Sequence, residues 1–143
     1  MTITTKGRYA LRILLDLAQQ DPEMVVPLNA IAKRQEISNK YLEMIMGMLQ
    51  KAGIVKSTRG KNGGYQLARR PEEYTVGEIL RLTEGSLASV ACLETSEKGC
   101  ERASECLTLP LWQELDRIVE TFLESVTLQD LLQPGGYAGK SPC

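Results

Sequence analysis

Cys92, Cys100 and Cys106 fall within 15 residues, with seven residues between the first pair and five between the second. Thiolates are soft ligands, and three of them on one loop suit an iron–sulfur centre or zinc. The chain has no histidine. That excludes Ser-His-Asp and Cys-His catalysis and removes the commonest metal ligand. With no phosphate loop and no paired acid cleft either, an enzyme is not expected. The bland alternative is a free thiol loop with a redox role or none. Glu94, Glu97, Glu101 and Glu105 surround the cysteines. Their charge is expected to raise the thiol pKa values and blunt reactivity.

A second kind of chemistry lies in the charge distribution. The net charge is −1, yet residues 1–70 hold 12 Lys and Arg against 5 Asp and Glu, and residues 71–143 hold 5 against 13. A basic first half suits phosphate while an acidic second half stays clear of it. No apolar run approaches the roughly 18 residues of a membrane span. The stretch MTITTKGRYA lacks the pattern of a signal peptide. A soluble cytoplasmic protein is expected, in which clustered cysteines bind metal more often than they form disulfides.

The elements that must position these groups follow from periodicity. Thr5 to Gln20 places Ala10, Ile13, Leu14 and Leu17 at helical spacing, and Asp21-Pro22 ends the run. Val25-Val26 reads as a short strand. Pro27 suits the first turn of a helix running from Leu28 to Arg34. Ser38 is placed to cap a third helix, with Leu42, Ile45, Met46 and Leu49 inward and Asn39, Glu43, Gly47 and Gln50 outward. Gly53 stops it. Two short β-type runs, Ile54–Ser57 and Tyr65–Leu67, flank the basic, glycine-rich Thr58–Gly64 and predict a hairpin. Thr75 to Thr83 reads as a fourth helix and Gly85 to Cys106 as a loop. Thr108 is expected to cap a final long helix. That helix carries two apolar rows: Leu111, Leu115, Ile118 and Phe122, and Trp112, Val119, Leu123 and Val126. One row suffices to pack on the helix's own domain; two imply a partner, most simply the same helix of a second subunit. Leu128 to Leu132 is a short segment suited to packing on a neighbour. The fold class is therefore mainly α with a small β-hairpin wing: a winged helix-turn-helix plus a long C-terminal dimerisation helix.

A helix lying in the major groove needs polar side chains at its start and along one face. Ser38, Asn39, Lys40, Tyr41 and Glu43 meet that need. Glutamate accepts from the cytosine amino group, and Lys40 and the Ser38 hydroxyl suit phosphate. On the hairpin, Arg59 with Gly60 and Lys61 is placed to enter a minor groove, the glycines allowing close backbone approach. Lys6, in the basic first segment, joins this DNA-binding set.

The stretches TTKGRYALRILLDLA, ISNKYLEMIMGMLQKAGIVKSTRGKNGGYQLAR and YTVGEIL resemble the Rrf-two family of winged-helix transcription regulators, the family of IscR, NsrR and CymR. The likeness runs to about Leu132. It implies a homodimer that binds imperfect palindromes in double-stranded promoter DNA, with Glu43 and Arg59 at DNA-reading positions. It also implies an iron–sulfur cluster, [2Fe–2S] or [4Fe–4S], on Cys92, Cys100 and Cys106, although the first gap here is two residues longer than in the iron–sulfur members. The fourth ligand stays open. Some members place a histidine where this chain has Leu109, and others take an acidic residue from a position near Arg8. Cys143, Glu94, Glu105, an exogenous thiol or water remain as candidates.

The expected organisation is a winged-helix DNA-binding domain over residues 1–84, a cysteine loop over 85–106, a dimerisation helix with a short C-terminal helix over 107–132, and a flexible tail over 133–143. The expected function is a sequence-specific regulator, a repressor, whose DNA binding responds to the cluster. The alternative is a cluster-free CymR-like regulator controlled by a protein partner or by thiol redox state.

Overall fold

The computed structural model describes residues 2–94 and 101–139. Helix α1 (Thr5–Ala18) turns Ala10, Ile13, Leu14 and Leu17 into the core. It stops two residues before the predicted end. Val26 forms a single antiparallel bridge with Tyr65 rather than a strand. Pro27 keeps an extended backbone and sits just outside α2 (Leu28–Gln35), so the helix gains its cap residue there and not its first turn. Glu36 then adopts a left-handed conformation with φ 54°. Its own N–H and that of Ile37 both return to the Ala32 carbonyl. This one residue reverses the chain between the two helices of the helix-turn-helix.

Ser38 caps α3 (Asn39–Lys51), its Oγ accepting from the Tyr41 N–H at 3.3 Å. Leu42, Ile45, Met46 and Leu49 are all fully buried, as their spacing predicts. Gly53, at φ 74°, ends the helix, and the Ile54 N–H bonds back to the Leu49 carbonyl at 2.9 Å. Strands β1 (Val55–Thr58) and β2 (Gly64–Leu67) form an antiparallel hairpin with Val55 opposite Leu67 and Thr58 opposite Gly64.

Tyr74 ties the hairpin to the C-terminal helices. It is fully buried. Its hydroxyl donates to the Ile54 carbonyl at 2.7 Å and accepts from the Arg69 N–H at 2.8 Å. Arg69 lies over the ring at 4.3 Å. Burial raises the Tyr74 pKa, against the lowering influence of Arg69. Thr75 caps α4 (Val76–Glu84), so the helix lies one residue later than predicted.

A single-turn helix covers Ala91–Leu93. The long helix α5 (Leu109–Ser125) comes next. The Thr108 hydroxyl does not cap it; it faces the Cys106 sulfur at 3.4 Å instead. Of the two rows on α5, Leu123 is buried, with Val126 just beyond it, and Val119 packs beside them. Leu111, Leu115, Ile118 and Phe122 are exposed. Thr127 and Asp130 cap each other's backbone at the start of α6 (Leu128–Leu131). Leu128 is fully buried in the chain's own core, not set against a neighbour. Burying one leucine contributes about 2 kcal/mol, which fixes α6 to Tyr74 and α1. Tyr137 packs edge-on against Phe122, with centroids 6.0 Å apart.

Candidate nucleic-acid interface

The exposed side of α3 begins at its cap. Ser38, Asn39, Lys40, Glu43 and Met44 are exposed and Tyr41 is half-buried. Ser38, Lys40, Tyr41, Glu43 and Met44 line one shallow groove. The first turn of α3 holds no acidic residue, so its free N–H groups and Lys40 make that end positive. Tyr41 is set by an edge-on contact with Tyr9 of α1, centroids 5.7 Å apart, and Arg12 lies 5.0 Å over the Tyr9 ring. Sequence reasoning passed over Met44, which is 49% exposed in the middle of this face.

The hairpin carries the second group. Arg59, Gly60 and Lys61 are exposed at its tip. Two glycines make the tip possible. A Cβ on Gly63 would stand 2.2 Å from the Thr58 carbonyl oxygen, and one on Gly64 would stand 2.2 Å from that of Val26. Only glycine at position 64 lets the hairpin lie against the backbone of Val26, just ahead of Pro27 and α2. Val26 and Tyr65 then exchange backbone bonds of 2.9 and 2.8 Å. Gln50, near the end of α3, donates to the Ser57 hydroxyl of β1 at 2.7 Å. Arg59 and Gly60 thereby line a groove with Leu28, Gln50 and Tyr65. Lys6 lies half-buried in the first turn of α1 and lines neither groove.

Beneath this face, Asp16 of α1 is 2% exposed. It accepts from Arg34 Nε at 3.0 Å, from the second Arg34 nitrogen at 2.7 Å, and from Gln35 Nε2 at 2.9 Å. That fork raises the already high Arg34 pKa, chiefly through the hydrogen bond. Bidentate geometry fixes the angle of α2, and with it α3, against α1.

Cys92 lies in the Ala91–Leu93 turn and Cys106 just before α5; both are half-buried and unpaired. Cys100 and Cys143 lie outside the described residues, as does Glu97. The thiol of Cys106 is drawn below its ordinary pKa, first by the Thr108 hydroxyl and then by backbone N–H groups. Local hydrogen bonds outweigh burial there, so the shift runs against the raised value expected from the loop's acidic charge. A thiolate-favouring site fits the donor chemistry of an iron–sulfur centre. Leu109, the first residue of α5, has no ligating atom, and Glu94 and Glu105 are exposed. Among the described residues, no three ligand-type side chains gather into a metal site.

Residues 3–134 match the family described as "Rrf2: Iron-dependent Transcriptional regulator". The chain belongs to the Rrf2 family. It is 39% identical to the HTH-type transcriptional regulator IscR of Aliivibrio salmonicida over 132 residues, covering 92% of this chain and 77% of that protein. Its fold matches CymR of B. subtilis with a TM-score of 0.74 at 39% identity, covering 92% of this chain and 96% of the other. T. potens IscR matches with a TM-score of 0.73 at 37% identity, over 100% and 94%. As an Rrf2-family member the chain is a transcription regulator and not an enzyme. Its helices and two-stranded hairpin form the winged helix of that family, followed by the long α5. No helix among the described residues is long and apolar enough to cross a membrane.

Proposed function

We propose that this Rrf2-family chain binds palindromic promoter DNA as a homodimer, with α3 in the major groove and the wing in the minor groove. One observation carries this reading. Asn39, Lys40, Glu43, Arg59 and Lys61 are exposed on α3 and the wing tip, and their side chains form no hydrogen bond or ion pair among the described residues. Ser38, Tyr41, Gly60 and Lys6 complete the contact set, the lysines serving phosphate and Glu43 and Arg59 serving base edges and groove.

The dimer is supported by the exposed row on α5. Leu111, Leu115, Ile118 and Phe122 are 41–58% exposed, and a second copy of the same helix is the simplest cover. The working division is a DNA-binding part over residues 1–84, a cysteine loop over 85–106, a dimerisation part over 107–132 and a tail over 133–143. We assign the protein to the cytoplasm, where its promoter lies, and to repression.

In the iron–sulfur form, Cys92, Cys100 and Cys106 would hold the cluster as thiolates, and the cluster would supply a redox- or ligand-sensitive link across the loop. The residues of this chain do the rest: α5 carries the loop, and α3 and the wing carry the DNA contacts. A second, cluster-free reading is favoured by Leu109, which carries no donor where some family members place a histidine ligand, and by the likeness to CymR. Under that reading a protein partner or thiol oxidation sets DNA affinity.

The test is binding to an operator selected from random duplex DNA. Arg59→Ala weakens binding by about 10–100-fold and Glu43→Ala changes the selected sequence. Unchanged binding and selection in both variants overturns the assignment of helix and wing. Anaerobic reconstitution with iron and sulfide separates the two sensing readings. Visible absorbance that is lost in Cys92→Ala and Cys106→Ala supports the cluster; its absence in the wild type supports the cluster-free form.

A further inference from the structure

The last residue of α4 reaches across to the start of α1. Thr4 precedes α1 with extended backbone, and its hydroxyl does not cap its own helix. The Thr4 N–H donates to Glu84 Oε1 at 3.1 Å, and the Thr4 hydroxyl lies 2.9 and 3.0 Å from the two Glu84 carboxylate oxygens. The carboxylate passes over Gly7, where a Cβ would stand 2.4 Å from Glu84 Oε1 and 3.1 Å from Leu80 and Thr83. The first turn of α1 contains no acidic residue of its own. The positive end of α1 is therefore met by a carboxylate from another helix. That turn carries Lys6 and Arg8.

We infer that Glu84 is a positioning residue for DNA binding: it pins the first turn of α1 and so holds Lys6 where it meets phosphate. The inference rests on the DNA-binding reading above. Simple charge counting argues for the opposite sign. An acidic side chain beside a phosphate-facing lysine lowers the local positive potential, so its removal should tighten binding. Glu84 acts instead by order. A lysine on an uncapped, fraying turn spends much of the bound state away from phosphate, so both the affinity and the number of phosphate contacts fall. Glu84 also stands next to Gly85, where the chain leaves α4 at φ 79° toward the cysteines. It thus lies on the covalent path between the cysteine segment and the DNA face.

The test is equilibrium binding of the full-length protein to the selected operator across a salt series. It uses the wild type, Lys6→Ala, Glu84→Ala, Glu84→Gln, Thr4→Val and the Lys6→Ala/Glu84→Ala double variant. Glu84→Ala weakens binding by about 3–10-fold and lowers the salt slope by roughly two across a dimer, near 0.9 per lost phosphate contact, as Lys6→Ala does. The double variant binds no worse than Lys6→Ala alone. Glu84→Gln keeps an acceptor oxygen and binds at least as well as the wild type. Glu84→Ala binding as tightly as the wild type with an unchanged slope overturns the inference, and so does multiplication of the two losses in the double variant. Should Glu84→Ala fail to fold, Thr4→Val carries the test: a loss of about 2–3-fold supports the inference, and unchanged binding overturns it. If Lys6→Ala is silent while Arg59→Ala weakens binding, the inference falls and the DNA reading stands. If neither weakens binding, both fall.

Discussion

Helices α1 to α3 and the hairpin bury their apolar faces within the chain: Ala10, Ile13, Leu14, Ile31, Leu42, Ile45, Met46 and Leu49 have no exposed surface. Helix α5 buries only Leu123 of its own residues and leaves Leu111, Leu115, Ile118 and Phe122 open. The polar groups divide less sharply, since α5 also reaches distant partners through Asp116, which accepts from the Ser89 N–H, and Glu124, which pairs with Arg81 and Thr75. In the first region Asp16, Tyr74 and Ser38 are each satisfied by partners from distant or capping positions. Beside α5, the Cys106 thiol has just the hydroxyl of Thr108 and the backbone of Thr108 and Leu109 as partners among the described residues. A region that satisfies itself holds a surface in place. A region that leaves an apolar row and thiols accessible is shaped for something else to complete it. The charge split, basic before residue 70 and acidic after, keeps the two roles from competing for the same ligand.

Four variants sharpen or break that contrast. The largest effect is expected at the open row. Leu115→Glu with Ile118→Glu places two charges where a second copy would pack, and raises the dimer dissociation constant by about a thousand-fold, near 4 kcal/mol. Sedimentation shows a monomer with intact helicity; a dimer that survives both charges removes the contrast. Next is Asp16→Ala, which strands Arg34 and Gln35. Arg34 is 41% exposed and re-solvates in part, so the loss is about 2–3 kcal/mol in urea unfolding. Tyr74→Phe leaves the Ile54 carbonyl and the Arg69 N–H without their partner and lowers stability by about 1–2 kcal/mol. Differential scanning calorimetry reads this directly, and a wild-type melting temperature counts against the Tyr74 link. The smallest effect belongs to the other region. Cys106→Ala leaves the unfolding free energy close to that of the wild type, because the thiol lies outside both cores. A large destabilisation there shows that the segment before α5 has a structural role.

Local features were legible in the sequence. The stripe of Leu42, Ile45, Met46 and Leu49 needs only a period of 3.6 to be seen, and Ser38 and Gly53 mark its ends by well-known cap chemistry. The two rows of α5 separate into an open one and one that packs through Val119, Leu123 and Val126 while Trp112 stays half-buried outside both cores. What stayed hidden depends on residues far apart in the chain. Asp16 reads as an ordinary charged residue of an amphipathic helix until Arg34 and Gln35 arrive 18 and 19 positions later. Glu84 reaches Thr4 across 80 positions, and nothing near either residue marks the pair. Tyr74 has no periodic neighbours, so its burial follows only from the packing of α6 and the hairpin. Thr108 looked like a cap because its type and place are right, yet its hydroxyl turns to the adjacent sulfur. Among the candidate site residues, Ser38, Asn39, Lys40 and Glu43 of α3 and the wing tip are exposed, while Tyr41 is half-buried. How they would meet DNA under the proposed function involves a second molecule and a double helix, which one sequence does not encode locally.

The left-handed Glu36 has a consequence for what mutation can explore. An exposed residue at φ 54° is chosen for its backbone, not its side chain, and a left-handed conformation costs an L-residue on the order of 1 kcal/mol. In a saturation library selected for folding, position 36 should enrich glycine and asparagine and deplete valine, isoleucine and proline. A pattern that instead tracks charge would show that the carboxylate, and not the handedness, is under selection. The angle between the two helices is thus held at a position whose chemistry is free to drift while its geometry is not.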